Sequence, residues 1–216
     1  TITESAFPDQ TERDLLAYTC WFDSLAISPE AKDLCRFILM SILERVSYTR
    51  KDGQYLRWDE RARKVVDRNK RRVAQGKSPI KGIDKGPLPT VKQALLDTFG
   101  KIIADVCELQ KDPPPPSRQK FISGNTLYVL PEMEPNQFAA VITSPPYANR
   151  YDYTRTYALE LAYIGVDAGI FDLRQNQLSC TVENNSKIEQ LRQFYDSISA
   201  QERFNHILKA ARDNEA

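Results

Sequence analysis

The chain is poor in the residues that most metal and nucleophile chemistries require. Only one histidine, His206, stands in its 216 residues, with no partner at ligand or triad spacing, so it reads as a structural residue of a helical tail. Four cysteines, Cys20, Cys35, Cys107 and Cys180, are scattered without a Cys-x-x-Cys pair. That spacing argues against zinc and disulfides and leaves buried free thiols as the expectation. Long apolar runs are missing too: the longest uncharged stretch, Phe37 to Leu43, is interrupted by Ser41 and falls far short of the about 20 residues a membrane-spanning helix needs. No signal-peptide pattern opens the chain, and a soluble cytoplasmic protein without metal or membrane partner is expected.

What is present divides by charge and by period. The formal net charge is only +1, but Arg45 to Lys92 holds fifteen Lys or Arg against five Asp or Glu. A basic segment is thereby set against an acidic remainder. Within it, Arg61-Ala-Arg-Lys-Val-Val-Asp-Arg-Asn-Lys-Arg-Arg72 suits a phosphate backbone, with Arg61, Arg68, Arg71 and Arg72 as candidate DNA contacts.

Residues 1–112 read as a helical region. Leu15, Tyr18, Trp21, Phe22 and Leu25 predict an amphipathic helix over Thr11 to Leu25. Ser28-Pro29-Glu30 predicts the start of a second, reaching Tyr48, with Leu34, Phe37, Ile38, Ile42 and Val46 along it. Lys51-Asp52-Gly53 signals a turn, Trp58 to Gln75 reads as a basic helix, and Thr90 to Leu109 as a further helix. Residues 113–119, opening with four prolines, read as a semi-rigid spacer. From residue 120 to 216 the period changes. Lys120 to Ser123 and Phe138 to Thr143 predict strands, the second buried, and Tyr153 to Ile164 predicts a helix with Tyr157 as a core contact. Two helices, Ser186 to Ile198 and another after Ser199, complete the pattern. The expected fold class is α/β, a partial Rossmann-like sheet preceded by a largely helical region.

The apolar run at 138–142 leads into Thr143-Ser144-Pro145-Pro146-Tyr147. Two consecutive prolines fix two φ angles and bias Ser144 and Pro145 toward extended backbone, which makes a rigid turn. From Val141 to Gly165 the sequence resembles the catalytic region of bacterial amino-group DNA methyltransferases, the N4-cytosine and N6-adenine class that uses S-adenosylmethionine. The resemblance implies that the Ser144 side chain and the Pro145 carbonyl each accept one hydrogen of a base's exocyclic amine, so that its lone pair can face the donor methyl group. It implies that Pro146 fixes the turn and that Tyr147 stacks on a base flipped out of the duplex. Serine at the first motif position favours cytosine N4 over adenine N6. Arg150, Tyr151 and Arg155, which follow the turn, are candidate DNA contacts. Gly124-Asn125-Thr126 is similar to the family's Gly-Asp-small element, which makes Asn125, with Thr143, a candidate cofactor-binding position. Asn125 departs from the usual acid there.

One family element is missing. None of the eight glycines has the Phe-x-Gly-x-Gly spacing that cradles the cofactor. Together with a first residue, Thr1, that is not methionine, this suggests a fragment or one part of a split enzyme. Its expected partners are DNA and the remainder of the same protein, or a second subunit, carrying that glycine-rich motif. Two alternatives stand beside this reading. One is a non-catalytic DNA-binding or interaction fragment of a restriction-modification type protein; the other is methylation of a protein glutamine, against which Ser144 counts, because asparagine is usual there.

Overall fold

The computed structural model describes residues 5–53, 55–113, 120–124, 126–143, 153–166, 168–176, 188–197 and 199–213. It divides into two compact units, Thr1–Pro145 and Pro146–Ala216. The described residues are mostly helical with one two-stranded sheet, and none of the described helices is long and apolar enough to cross a membrane.

The first unit is built on helices α1 (Asp9–Ser24), α2 (Pro29–Val46) and α4 (Val91–Lys111). Helix α2 starts where its sequence says it should: the Ser28 hydroxyl accepts the Ala31 amide at 3.2 Å, Pro29 opens the first turn, and Glu30 faces the positive end of the helix. Helix α4 begins with a capping box, in which the Thr90 hydroxyl accepts the Gln93 amide and the Gln93 side chain accepts the Thr90 amide. Helix α2 packs against both other helices and supplies most of the core. Its Ile38, Leu39, Ile42, Leu43 and Val46 are buried, meeting Leu15 and Phe22 of α1 and Val91, Ala94 and Leu95 of α4 in the apolar interior. At the edge, Arg45 pairs with Asp97 between α2 and α4.

Where α2 ends the chain turns into a hairpin, β1 (Thr49–Lys51) against β2 (Leu56–Trp58), and then into α3 (Arg63–Ala74). Trp58, expected in the basic helix, therefore belongs to a strand. Asp52 drives the reversal: its carboxylate accepts the Tyr55 amide at 2.8 Å, and Gly53 takes φ 91°, a left-handed conformation that glycine adopts without steric cost. Beyond α4 lie a single helical turn, α5 (Thr126–Val129), and a 3-10 turn at Leu130–Glu132.

Neither predicted strand forms. Residues 120–123 and 138–143 are irregular, with Phe121 at 92%, Val141 at 80% and Ile142 at 100% exposure. A buried strand takes its hydrogen bonds from neighbouring strands on either side, and among the described residues nothing pairs with these segments.

In the second unit the helix expected over Tyr153 to Ile164 is two short ones, α6 (Tyr153–Thr156) and α7 (Ala158–Tyr163). They are followed by α8 (Ile170–Asn176), α9 (Ile188–Ser197) and α10 (Ala200–Asp213), the last two packed on each other. Two expectations about side chains are corrected. Cys20 and Cys107 are exposed free thiols, on outward faces of α1 and α4, and only Cys35 of the described three is buried.

The α2 core sets the stability of the first unit. Leu39→Ala removes a fully buried side chain and should cost about 2–5 kcal/mol, read as a lowered midpoint in urea unfolding with an unchanged slope.

Candidate nucleic-acid interface

The basic segment is organised around one buried carboxylate. Asp59, directly after β2, is fully buried. Its Oδ1 accepts the Arg61 amide at 2.9 Å and Arg61 Nε at 2.7 Å, while Oδ2 accepts Arg61 Nη2 at 2.8 Å and the Lys85 amide at 2.9 Å. The two-pronged Arg61 contact and these backbone donors hold the Asp59 carboxyl far below the usual carboxylate range, against the opposing effect of burial. The carboxylate in turn raises the Arg61 guanidinium above its ordinary value. Arg61 also donates to the Gly86 carbonyl at 2.8 Å, and its guanidinium lies 5.3 Å from the centre of the Tyr48 ring.

Lys85 completes the node. Its Nζ donates to three carbonyls, of Glu44 at 2.6 Å, Ser47 at 2.8 Å and Thr49 at 2.7 Å, which saturates the ammonium's three donors. These carbonyls belong to the end of α2 and the start of β1, where helix geometry leaves acceptors without intrahelical partners and the dipole favours a cation. Burial pulls the Lys85 ammonium below its ordinary value, partly offset by the charges of Glu44 and Asp59.

The loop that carries Lys85 is itself tied to the basic helix. Asn69 acts as a surrogate peptide, donating to the Ile80 carbonyl at 2.9 Å and accepting the Ile80 amide at 2.8 Å. Arg72 Nε donates to the Ser78 carbonyl at 2.8 Å. Beside β2 the loop comes so close that a Cβ on Gly82 would lie 2.6 Å from the Glu60 nitrogen, so only glycine fits. At the other side of α3, Lys64 Nζ sits 3.9 Å above the Trp58 ring, and burial, with the nearby Arg68 charge, pulls Lys64 below its ordinary value.

The candidate contact residues thus have different situations. Arg61 is committed to Asp59 and Gly86. Arg72 is half-buried against the loop, while Arg68 and Arg71 are exposed on α3. Arg155 is exposed on α6. Thr143 is exposed at the end of the irregular 138–143 segment, and His206 is exposed on α10. Ser144, Pro145, Pro146, Tyr147, Arg150, Tyr151 and Asn125 lie outside the described residues, as does Cys180. Sequence reasoning missed one feature next to the turn. Tyr157 is not a core contact: it and Tyr153 are each 45% exposed, their rings stacked at 6.3 Å and 19°. The i, i+4 spacing was the available signal. Behind them Arg174 Nε donates to the buried Thr154 hydroxyl at 2.7 Å, which steadies α6 against α8.

A stretch this long aligns with known proteins. The chain is 55% identical over 217 aligned positions, 99% of its length, to the type II methyltransferase M.BsoBI of Geobacillus stearothermophilus. It is similar to a type II methyltransferase. The type II methyltransferases M.AvaI of Nostoc sp. and of Anabaena variabilis are each 41% identical over 192 positions, 86% of the chain. The chain spans less than half the length of these relatives, 43% of M.BsoBI and 37% of each M.AvaI. No family model and no solved structure matches it.

The buried carboxylate gives the segment a defined acid sensitivity. Asp59 has a depressed folded value, so its contribution is fully present above the unfolded carboxylate value near about 3.9 and is lost as pH falls further toward the folded one. Asp59→Asn should flatten the fall in melting temperature below about pH 4 relative to the parent. Asp59→Ala, which orphans buried donors, should cost about 2–3 kcal/mol at neutral pH in urea unfolding.

Proposed function

We propose that this chain is the amine-orienting and DNA-contacting part of a type II DNA methyltransferase that modifies the exocyclic amine of a flipped base, cytosine N4 before adenine N6. The observation that carries the proposal is the similarity along nearly the whole chain to M.BsoBI, in a sequence that contains Ser144-Pro145-Pro146-Tyr147. The amine of a base is a weak nucleophile because its lone pair is delocalised into the ring. Two acceptors, the Ser144 hydroxyl and the Pro145 carbonyl, would draw its hydrogens out of the ring plane and localise that pair. Positioning of this kind supplies rate without a covalent enzyme intermediate. Tyr147 would hold the flipped base by its face, and the exposed Tyr153–Tyr157 pair offers further stacking surface for bases near the turn.

The methyl donor, S-adenosylmethionine, does not find its cradle among the described residues. The glycines at positive φ, Gly53, Gly76, Gly86 and Gly165, each serve a turn or helix end, and none opens a helix after a parallel strand. Asn125 and Thr143 would then be peripheral contacts, and most of the donor site would be supplied by the remainder of the protein or by a second subunit. In that reading the partial Rossmann-like sheet is completed by the same addition, which would pair the apolar 120–123 and 138–143 segments. Residues 1–112 would form the DNA-facing region, and 113–119 the spacer to the catalytic residues, 120–216. The basic segment, with Arg68, Arg71 and Arg72 on α3 and Arg61 holding that helix in place, would lie along the phosphate backbone, and Arg150, Tyr151 and Arg155 would line the path to the pocket.

Radiolabelled methyl transfer to duplex DNA tests the reading. The chain supplemented with the length that its relatives have beyond this stretch should transfer methyl groups, and Ser144→Ala should lower the rate by about 10²-fold or more. Calorimetry of the bare chain with S-adenosylmethionine should give no measurable heat of binding. Transfer that is indifferent to Ser144 would sink the catalytic assignment.

A further inference from the structure

The hairpin carries a charge arrangement that the fold alone does not explain. In its antiparallel register Thr49 faces Trp58 and Lys51 faces Leu56, and these residues are buried or half-buried against the body of the first unit. The remaining pair is Arg50 opposite Arg57, and both are exposed. Directly opposed residues on one face of a ribbon bring their Cβ atoms to about 5 Å, where like charges destabilise the pairing. Asp52 neutralises one of the two by pairing with Arg57 Nε. The Arg50 side chain makes no hydrogen bond or ion pair among the described residues, and the Arg57 side chain remains 62% exposed beside its Nε contact with Asp52.

The arrangement is also rigid. Thr49 is fully buried, its hydroxyl 2.8 Å from that of Ser47, and the strand carbonyls of Ser47 and Thr49 are held by Lys85. Asp59, one residue beyond β2, locks the other strand, and Trp58 packs under Lys64 of α3. Two guanidinium groups are therefore presented on one solvent face by a fixed ribbon, in continuity with a helix that carries six basic residues and one acid over Arg63–Ala74. Guanidinium forks match the oxygens of a phosphate, and pre-organised donors lose little entropy in binding it.

We propose that the Arg50–Arg57 face of the hairpin is a phosphate-backbone contact for duplex DNA, working beside α3. The proposal rests on the methyltransferase reading only for the identity of the polyanion; its physical content is the opposed arginine pair. Because phosphate contacts carry no sequence information, a labelled duplex of mixed sequence is a sufficient probe.

The test is fluorescence anisotropy of that duplex with the full 216-residue chain across about 50–200 mM salt. Replacing both arginines (Arg50→Ala with Arg57→Ala) should reduce the slope of log affinity against log salt by about two, and weaken binding most at low salt. A control pair from outside the basic segment, Arg13→Ala with Arg36→Ala, should leave the slope unchanged. The hairpin variant should melt no lower than the parent, because it removes a repulsion. The charge-preserving pair, Arg50→Lys with Arg57→Lys, should retain the slope; a loss of slope in the alanine pair accompanied by a lowered melting temperature would mark the arginines as structural and overturn the proposal. An unchanged slope in the alanine pair also overturns it, and if Arg68→Ala with Arg71→Ala then lowers the slope, the DNA-contact reading of α3 survives alone. A parent chain that does not bind the duplex removes both.

Discussion

The first unit depends on how a buried carboxylate and a half-buried ammonium are satisfied at the point where helix, hairpin and loop meet. Asp59 accepts four hydrogen bonds and Lys85 Nζ donates three. Charges taken out of water cost several kcal/mol unless every lone pair and proton is used, and here nearly every one is. The exposed pairs elsewhere, such as Arg36 with Asp23 or Lys111 with Glu108, belong to a different class. Pairs of that kind contribute about 0–1 kcal/mol each and could be lost without moving the backbone. Loss of Asp59 or Lys85 would remove side-chain ties among the end of α2, the hairpin and the loop, leaving the backbone bonds of Ile83 to Trp58 and Glu60 to hold the loop.

That node converts a patch of charge into a surface with a shape. A run of lysines and arginines in a flexible loop attracts nucleic acid but holds no register. Here the loop is pinned to α3 by Asn69 and Arg72, α3 is oriented by Arg61, and β2 lies under Lys64. The cationic side chains stand on elements whose positions relative to one another are fixed before any partner arrives. Ordering them on binding would therefore cost little, and charge is best used where it is already placed.

The sequence told different parts of this with different success, for physical reasons. Helices α2 and α4 were legible because their apolar faces repeat over many turns, and for α2 also because its start, Ser28-Pro29, is written locally. The hairpin was not. Its strands are three residues each, too short for a period of two to declare itself, and Trp58 was absorbed into the basic helix that follows. The node was invisible for another reason: Lys85 meets partners 36 to 41 positions away, and nothing in the neighbourhood of a lysine announces which distant carbonyls it will bind. Phe138 to Thr143 shows the limit from the other side. An apolar run states that a segment wants partners but not where they come from. Tyr157 was misplaced because an aromatic at helical spacing fits a core and an exposed stack equally well.

The position of Trp58 has an optical consequence. The chain has two tryptophans, and they report on different things. Trp21 is 52% exposed on α1, next to Tyr18 and Phe22, and senses solvent at the helical core's outer face. Trp58 is half-buried at the foot of the hairpin with a lysine ammonium 3.9 Å above its ring. An indole's emission energy responds to charge over its π-face, so displacing the Lys64 ammonium would shift the emission of Trp58. The contact that packs Lys64 of α3 over β2 is thereby an optical reporter of its own geometry.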